Sequence, residues 1–142
     1  MGGKATLFAD GGSRGNPGPA ALGAVLLDDS GNVLREIGEY LGTATNNVAE
    51  WRALIAGLEA ALAEGIDHLE VRMDSELVVR QLSGEYRVKH PDLKPLSERA
   101  RSLMHRFAQR PNVQHVRRKE NAAADRLVNL ALDAQAEKGK AG

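Results

Sequence analysis

The chain has 142 residues, 42% of them hydrophobic, enough for one domain with a core of its own. Its 19 Lys/Arg balance 19 Asp/Glu and it has no cysteine, which excludes a uniformly basic nucleic-acid binder, a disulfide framework and a thiolate metal site. No apolar run is long enough to span a bilayer, and the start lacks the charged-then-apolar pattern of a signal peptide.

"KATLFAD" alternates, with Ala5, Leu7 and Ala9 on one side, and predicts a strand ending at Asp10. "DGGSRGNPGP" then sets Gly11, Gly12, Gly15 and Gly18 behind that carboxylate, as a tight turn or as a place where a ligand meets the main chain. "AALGAVLLD" is a second strand, "DSGN" a turn, and "VLREIGEYL" a third strand closing a hairpin. "NNVAEWRALIAGLEAALAEG" predicts a helix, with Trp51, Leu54, Ile55, Leu58, Ala61 and Leu62 at helical spacing and Gly65 as its stop. "LEVRMD" is a fourth strand and "SELVVRQLSG" a short helix stopped by Gly84. An irregular stretch holds Pro91 and Pro95, and a helix follows through Leu96, Ala100, Leu103 and Phe107. "VQHV" is a fifth strand, Ala122 to about Glu137 a last helix, and 138–142 a flexible tail.

This βββαβαβα order predicts an α/β fold in which three antiparallel strands precede parallel ones joined by right-handed crossovers. If the fourth strand returns beside the first, Asp10 and Asp74 end neighbouring strands ~4.8 Å apart, where open α/β sheets bind ligands. Two more acids have ordinary readings when taken alone. Glu50 completes a capping box with Asn47, although it also falls near the helix's apolar stripe. Asp125 suits the first turn of the last helix as a partner of its dipole. Gathered together, four carboxylates repel and demand a cation, and an all-oxygen site suits Mg²⁺ or Mn²⁺.

In "FADGGSRGNPGP", "TNNVAEWRALIAGLEAAL", "VRMDSELVVRQLSGEYRVKHPDLKPL" and "ENAAADRLVNLA", in that order, the chain resembles ribonuclease H of type 1 over nearly its whole length. The resemblance implies a ribonuclease H-like five-stranded mixed sheet flanked by helices, in one catalytic domain over 1–142. It makes Asp10, Glu50, Asp74 and Asp125 the metal-binding catalytic carboxylates, with Asp10 bridging two Mg²⁺ ions that Mn²⁺ can replace. Positions matching Asn16, Asn46 and Asn47 touch the minor groove of an RNA–DNA hybrid in the family, and the Thr45 position helps bind a DNA phosphate. Gly11 and Gly12 would let the sugar-phosphate backbone approach the main chain.

The chain also departs from the family pattern. Its loop reads "RRKEN" where many relatives carry a histidine, and the nearest one, His115, reads as structural. Arg118 matches the arginine of "P-R-x-x-N" loops and is expected to assist electrostatically or in product release. Glu76 stands where many relatives have a groove-contacting Gln. The family's basic protrusion is absent, and Arg87, Lys89, His90 and Lys94 form only a thin basic segment. Charge is nonetheless uneven, with 4 Lys/Arg against 10 Asp/Glu in residues 1–70 and 15 against 9 in 71–142. Such asymmetry permits a polyanion-binding face on a neutral protein, and hybrid affinity is expected to be modest and salt-dependent. The expected protein is a cytoplasmic, monomeric endoribonuclease that cuts the RNA strand of hybrids and leaves 5′-phosphate and 3′-hydroxyl ends. Its alternatives are a non-catalytic nucleic-acid-binding module of the same fold and a nuclease preferring another duplex such as double-stranded RNA.

Overall fold

The computed structural model describes residues 3–141. Strands β1 (Lys4–Ser13), β2 (Gly18–Asp28), β3 (Val33–Ala44), β4 (His68–Met73) and β5 (Asn112–His115) form one sheet in the order β3-β2-β1-β4-β5. The pairings β1–β2 and β2–β3 are antiparallel, while β1–β4 and β4–β5 are parallel. The condition on which Asp10 and Asp74 become neighbours, β4 lying beside β1, is therefore met. Helices α1 (Asn46–Ala63), α2 (Glu76–Ser83), α3 (Lys94–Met104) and α4 (Ala122–Ala141) complete the domain, with a 3-10 turn over Arg118–Asn121 leading into α4. No described helix is long and apolar enough to cross a membrane.

Alternation along β1 sends successive side chains to opposite faces of the sheet. Ala5, Leu7 and Ala9 join Leu22, Ala24, Leu26, Trp51, Leu54 and Leu58 in the main core under α1. On the other face Ala21 packs with Val128 and Leu132 of α4. Two glycines let helices sit directly on strands: a Cβ at Gly11 would overlap the backbone of Ala49, and one at Gly23 would overlap the Ala124 carbonyl. Gly57 makes room for the Leu7 side chain in the same way.

Several boundaries differ from expectation. β1 does not end at Asp10; it runs on to Ser13, with Gly11, Gly12 and Ser13 paired to Leu22, Ala21 and Ala20. The turn lies four residues later, closed by the Arg14 N–H donating to the Pro19 carbonyl. The expected Asn47–Glu50 capping box does not form, because Thr45 caps α1 by accepting from the Val48 N–H at 3.2 Å. α3 stops at Met104, and Phe107 joins the core from beyond the helix end. The stretch expected as a flexible tail continues α4 as helix to Ala141, while Gly142 lies outside the described residues.

Candidate active site

The register pairs Ala9 with Met73, so Asp10 within β1 and Asp74 just past the end of β4 come side by side. Glu50 arrives from the opposite face. Because α1 rests on the bare backbone of Gly11, the Glu50 carboxylate reaches past β1 and accepts a hydrogen bond from the Gly11 N–H through Oε1. Asp10, Glu50 and Asp74 thereby each offer an oxygen within 4.8 Å of one another. Asp125, in the first turn of α4, lines the same cleft of about 430 Å³ without joining that tight trio.

Burial and crowding set the protonation of the trio. Burial first, then the neighbouring charges of Glu50 and Asp74, push the Asp10 carboxyl from an ordinary 3.8 up to about 9. Burial likewise lifts Glu50 from 4.5 to about 7, against the lowering effect of the Gly11 hydrogen bond. Carboxylates held this close prefer a proton or a cation, and an all-oxygen donor set suits Mg²⁺. Asp10, Glu50 and Asp74 are the residues fit to hold such an ion, with Asp125 within the same cleft.

Asn121 carries no prediction from sequence, yet it organises the site. It is buried, and its Nδ2 donates both to the Ala9 carbonyl and to Asp74 Oδ1, each at 2.9 Å. One side chain thus ties the residue before Asp10 to Asp74, and its own Oδ1 is left without a partner. The signal lay in the spacing "NAAAD", where Asn121 stands four residues before Asp125. Asn129 does the equivalent for Asp125, donating from Nδ2 to its Oδ2 at 3.3 Å and to its carbonyl at 3.1 Å.

Gly11, Gly12, Asn46, Asn47 and Arg118 also line the cleft. Arg118 Nε stands 3.8 Å from Asp74 Oδ2 on a largely exposed side chain. Asn46 Oδ1 accepts from the Ser13 N–H and hydroxyl, and Asn16 Oδ1 accepts from the Asn46 N–H. These two amides therefore spend their oxygens on joining the β1–β2 turn to α1. Asn16 and Thr45 border an adjoining hollow with Asn47 and His90 instead of the acid-lined cleft. Glu76 is not brought into the cleft; it pairs with Arg80 at 2.8 Å on the first turn of α2. His115 ends β5, paired with Met73, exposed and outside the cleft, so it takes its place in the sheet and not in the site.

Residues 8–131 match the family model described as reverse transcriptase-like. The chain is also 48% identical to a structure described as RNase H1 from Halobacterium salinarum, covering 93% of this chain and 99% of that one with a TM-score of 0.89. The chain belongs to the ribonuclease H type 1 family. Another ribonuclease H relative is a bifunctional protein of Mycobacterium tuberculosis, 51% identical over 97% of this chain, of which the chain spans only 38%. The N-terminal RNase H domain of that protein matches with a TM-score of 0.92 and 49% identity, covering 96% of this chain and 99% of that one. A third family member, LC11-RNase H1, is 44% identical with a TM-score of 0.87, covers 92% of this chain and 98% of its own, and was solved in complex with an RNA/DNA hybrid.

Proposed function

We propose that this ribonuclease H domain is a metal-dependent endonuclease that hydrolyses the RNA strand of RNA–DNA hybrids and leaves 5′-phosphate and 3′-hydroxyl ends. The carrying observation is the trio of Asp10, Glu50 and Asp74, whose oxygens lie within 4.8 Å of one another in a cleft shared with Asp125. Two Mg²⁺ ions at these oxygens, with Mn²⁺ as a substitute, would supply Lewis-acid stabilisation of the scissile phosphate and of the attacking and leaving oxygens. In the reaction a water oxygen bonds to phosphorus, the bond from phosphorus to O3′ breaks, and the released O3′ takes up a proton.

The chain's own residues prepare that reaction. Asn121 fixes Asp74 and Asn129 fixes Asp125, so two of the four carboxylates are oriented before substrate arrives. Arg118 sets positive charge at the Asp74 edge and assists electrostatically, since a guanidinium cannot serve as a base near neutrality. Asn16 and Asn46, their oxygens already bonded within the protein, have NH₂ groups left to donate to 2′-hydroxyls, the group that separates RNA from DNA. Asn47 adds a third amide at the cleft, where Gly12 leaves the main chain open to the strand, while Gly11 is held against α1 with its N–H on Glu50. The Thr45 hydroxyl accepts from Val48, which leaves its hydrogen for a phosphate oxygen. Glu76, held by Arg80, has no substrate role in this reading. The domain acts as a cytoplasmic monomer.

The test is cleavage of a labelled hybrid, an RNA duplex and a DNA duplex, with Mg²⁺ and with chelator. Cleavage of the hybrid's RNA strand alone, and only with metal, is expected. Equal cutting of the RNA duplex would overturn the substrate assignment, and binding without cleavage in Mg²⁺ would leave a non-catalytic module.

A further inference from the structure

Among the described residues the acid-lined cleft holds two cations, Arg118 and Arg14. Arg118 leans on Asp74, inside the carboxylate cluster. Arg14 is held elsewhere. It sits in the β1–β2 turn, just after Ser13, which is bonded to the Asn46 side chain through both its N–H and its hydroxyl. Its guanidinium is tethered to α4: Nη2 donates to Asp133 Oδ1 at 2.6 Å, with Asn129 Oδ1 at 3.5 Å. Asp133 does not line the cleft, so the tether draws the guanidinium to the α4 rim and away from the carboxylates. Nε and Nη1 have no protein acceptor among the described residues, and the side chain is 45% exposed. An ion pair this exposed adds little to stability, so folding alone gives no account of a guanidinium anchored at this rim.

We propose that Arg14 is a substrate-contacting residue: tethered by Asp133, it receives a backbone phosphate of the strand being cut, adjacent along that strand to the linkage at the carboxylates. The inference rests on the hybrid-cleaving reading above. A guanidinium is a planar fork that matches phosphate oxygens, and using Nη2 on Asp133 fixes its plane while leaving donors for an anion. Arg14 lines the same cleft as the four carboxylates, where the linkage being cut would lie. A phosphate reached from its rim therefore belongs to the strand that enters it. A positive charge there also offsets the repulsion between four acids and the incoming polyanion.

Steady-state cleavage of a hybrid across a range of salt, by wild type, Arg14→Gln, Arg14→Lys and Asp133→Asn, tests this, with melting curves to confirm each variant's fold. Arg14→Gln should raise KM about tenfold, the scale of one charge-assisted hydrogen bond, with a much smaller change in kcat. Its log–log dependence of KM on salt should flatten by about one unit, because one phosphate is no longer neutralised by the protein. Arg14→Lys should keep the slope but not the affinity, since an ammonium cannot fork. Asp133→Asn should raise KM with the slope unchanged. A single methylphosphonate next to the scissile linkage in the RNA strand should raise KM for wild type and add nothing in Arg14→Gln. Wild-type KM and slope in Arg14→Gln would overturn the proposal, as would a methylphosphonate penalty equal in both proteins. If the position that becomes silent in Arg14→Gln lies in the DNA strand, the strand assignment is overturned. A wild-type protein that cuts no hybrid overturns the underlying reading instead, and does so before any variant is compared.

Discussion

Asp10 is the acid on which the proposed chemistry would concentrate, because it is buried, faces Glu50 and Asp74 directly, and feels Asp125 beyond them. Replacing it with Asn removes the charge, and an amide is a poor ligand for a hard cation. Asp10→Asn is therefore expected to lower hybrid cleavage by about 10²–10³-fold or more, as loss of a positioned charge-stabilising group does. Binding of the same hybrid in chelator should be unchanged or slightly tighter, since one repulsive charge has gone. Cleavage at the wild-type rate would mean that the carboxylates are not the reaction centre. Loss of both cleavage and binding with the fold intact would make Asp10 a docking residue. Asp10, Glu50 and Asp74 were each legible as motif acids in the sequence. Asn121 was not read, although it stands four residues before Asp125 in "NAAAD", because that spacing does not say which carboxylate a buried amide will orient.

At the scale of elements, the glycines after Asp10 teach a different lesson. Their run in "DGGSRGNPGP" reads locally as a turn, yet Gly11 and Gly12 continue β1 in extended register with β2. Gly11 is demanded by α1, whose backbone lies where a Cβ would stand. Gly12 has only ordinary room to spare, with Val128 Cγ1 3.7 Å from the position of an added Cβ. Gly11→Ala should thus destabilise by at least about 1–3 kcal/mol through overpacking, and should displace Glu50 as α1 lifts. Gly12→Ala should change stability by less than about 0.5 kcal/mol. Equilibrium urea unfolding of the two variants side by side decides it, and equal stabilities would refute the packing argument. The same close approach explains why the capping box does not form. Glu50 is turned toward Gly11, and Thr45, one residue before the helix, is left to satisfy the Val48 N–H.

For the whole molecule, the raised carboxyls link folding to pH and to metal. The folded state of the metal-free protein holds protons on Asp10 up to about pH 9 and on Glu50 up to about 7, whereas the unfolded chain releases them near 3.8 and 4.5. Folded pKa values above unfolded ones mean that their contribution is fully present below about pH 4 and is lost as pH rises through 7 and then 9. A divalent cation held by the ionised acids, as proposed, would restore stability where the protons have left. At a hundredfold excess over its Kd it adds about 2.7 kcal/mol. The melting temperature in chelator should fall between pH 5 and pH 8.5, and the increase on adding Mg²⁺ should be larger at pH 8.5. A Mg²⁺ effect that is absent, or larger at pH 5, would show that these carboxyls do not govern a metal site.

The sequence by itself determined the strand and helix order and the four acids that the cleft collects, while the return of β4 beside β1 was only a condition that the structure met. Alternation, helical periodicity and crossover handedness are local or topological rules, and motif acids keep their local setting. Only the tertiary structure decided that Gly11 serves helix packing, that Thr45 caps α1, that Glu76 turns away to Arg80, and that Asn121 and Asn129 orient the acids. Gly11 and Asn121 depend on groups that share a space without sharing a stretch of chain. Thr45, Glu76 and Asn129 turn on a choice among near neighbours that packing makes. A periodic pattern tells which face a residue takes, whereas partners are fixed only when two faces meet.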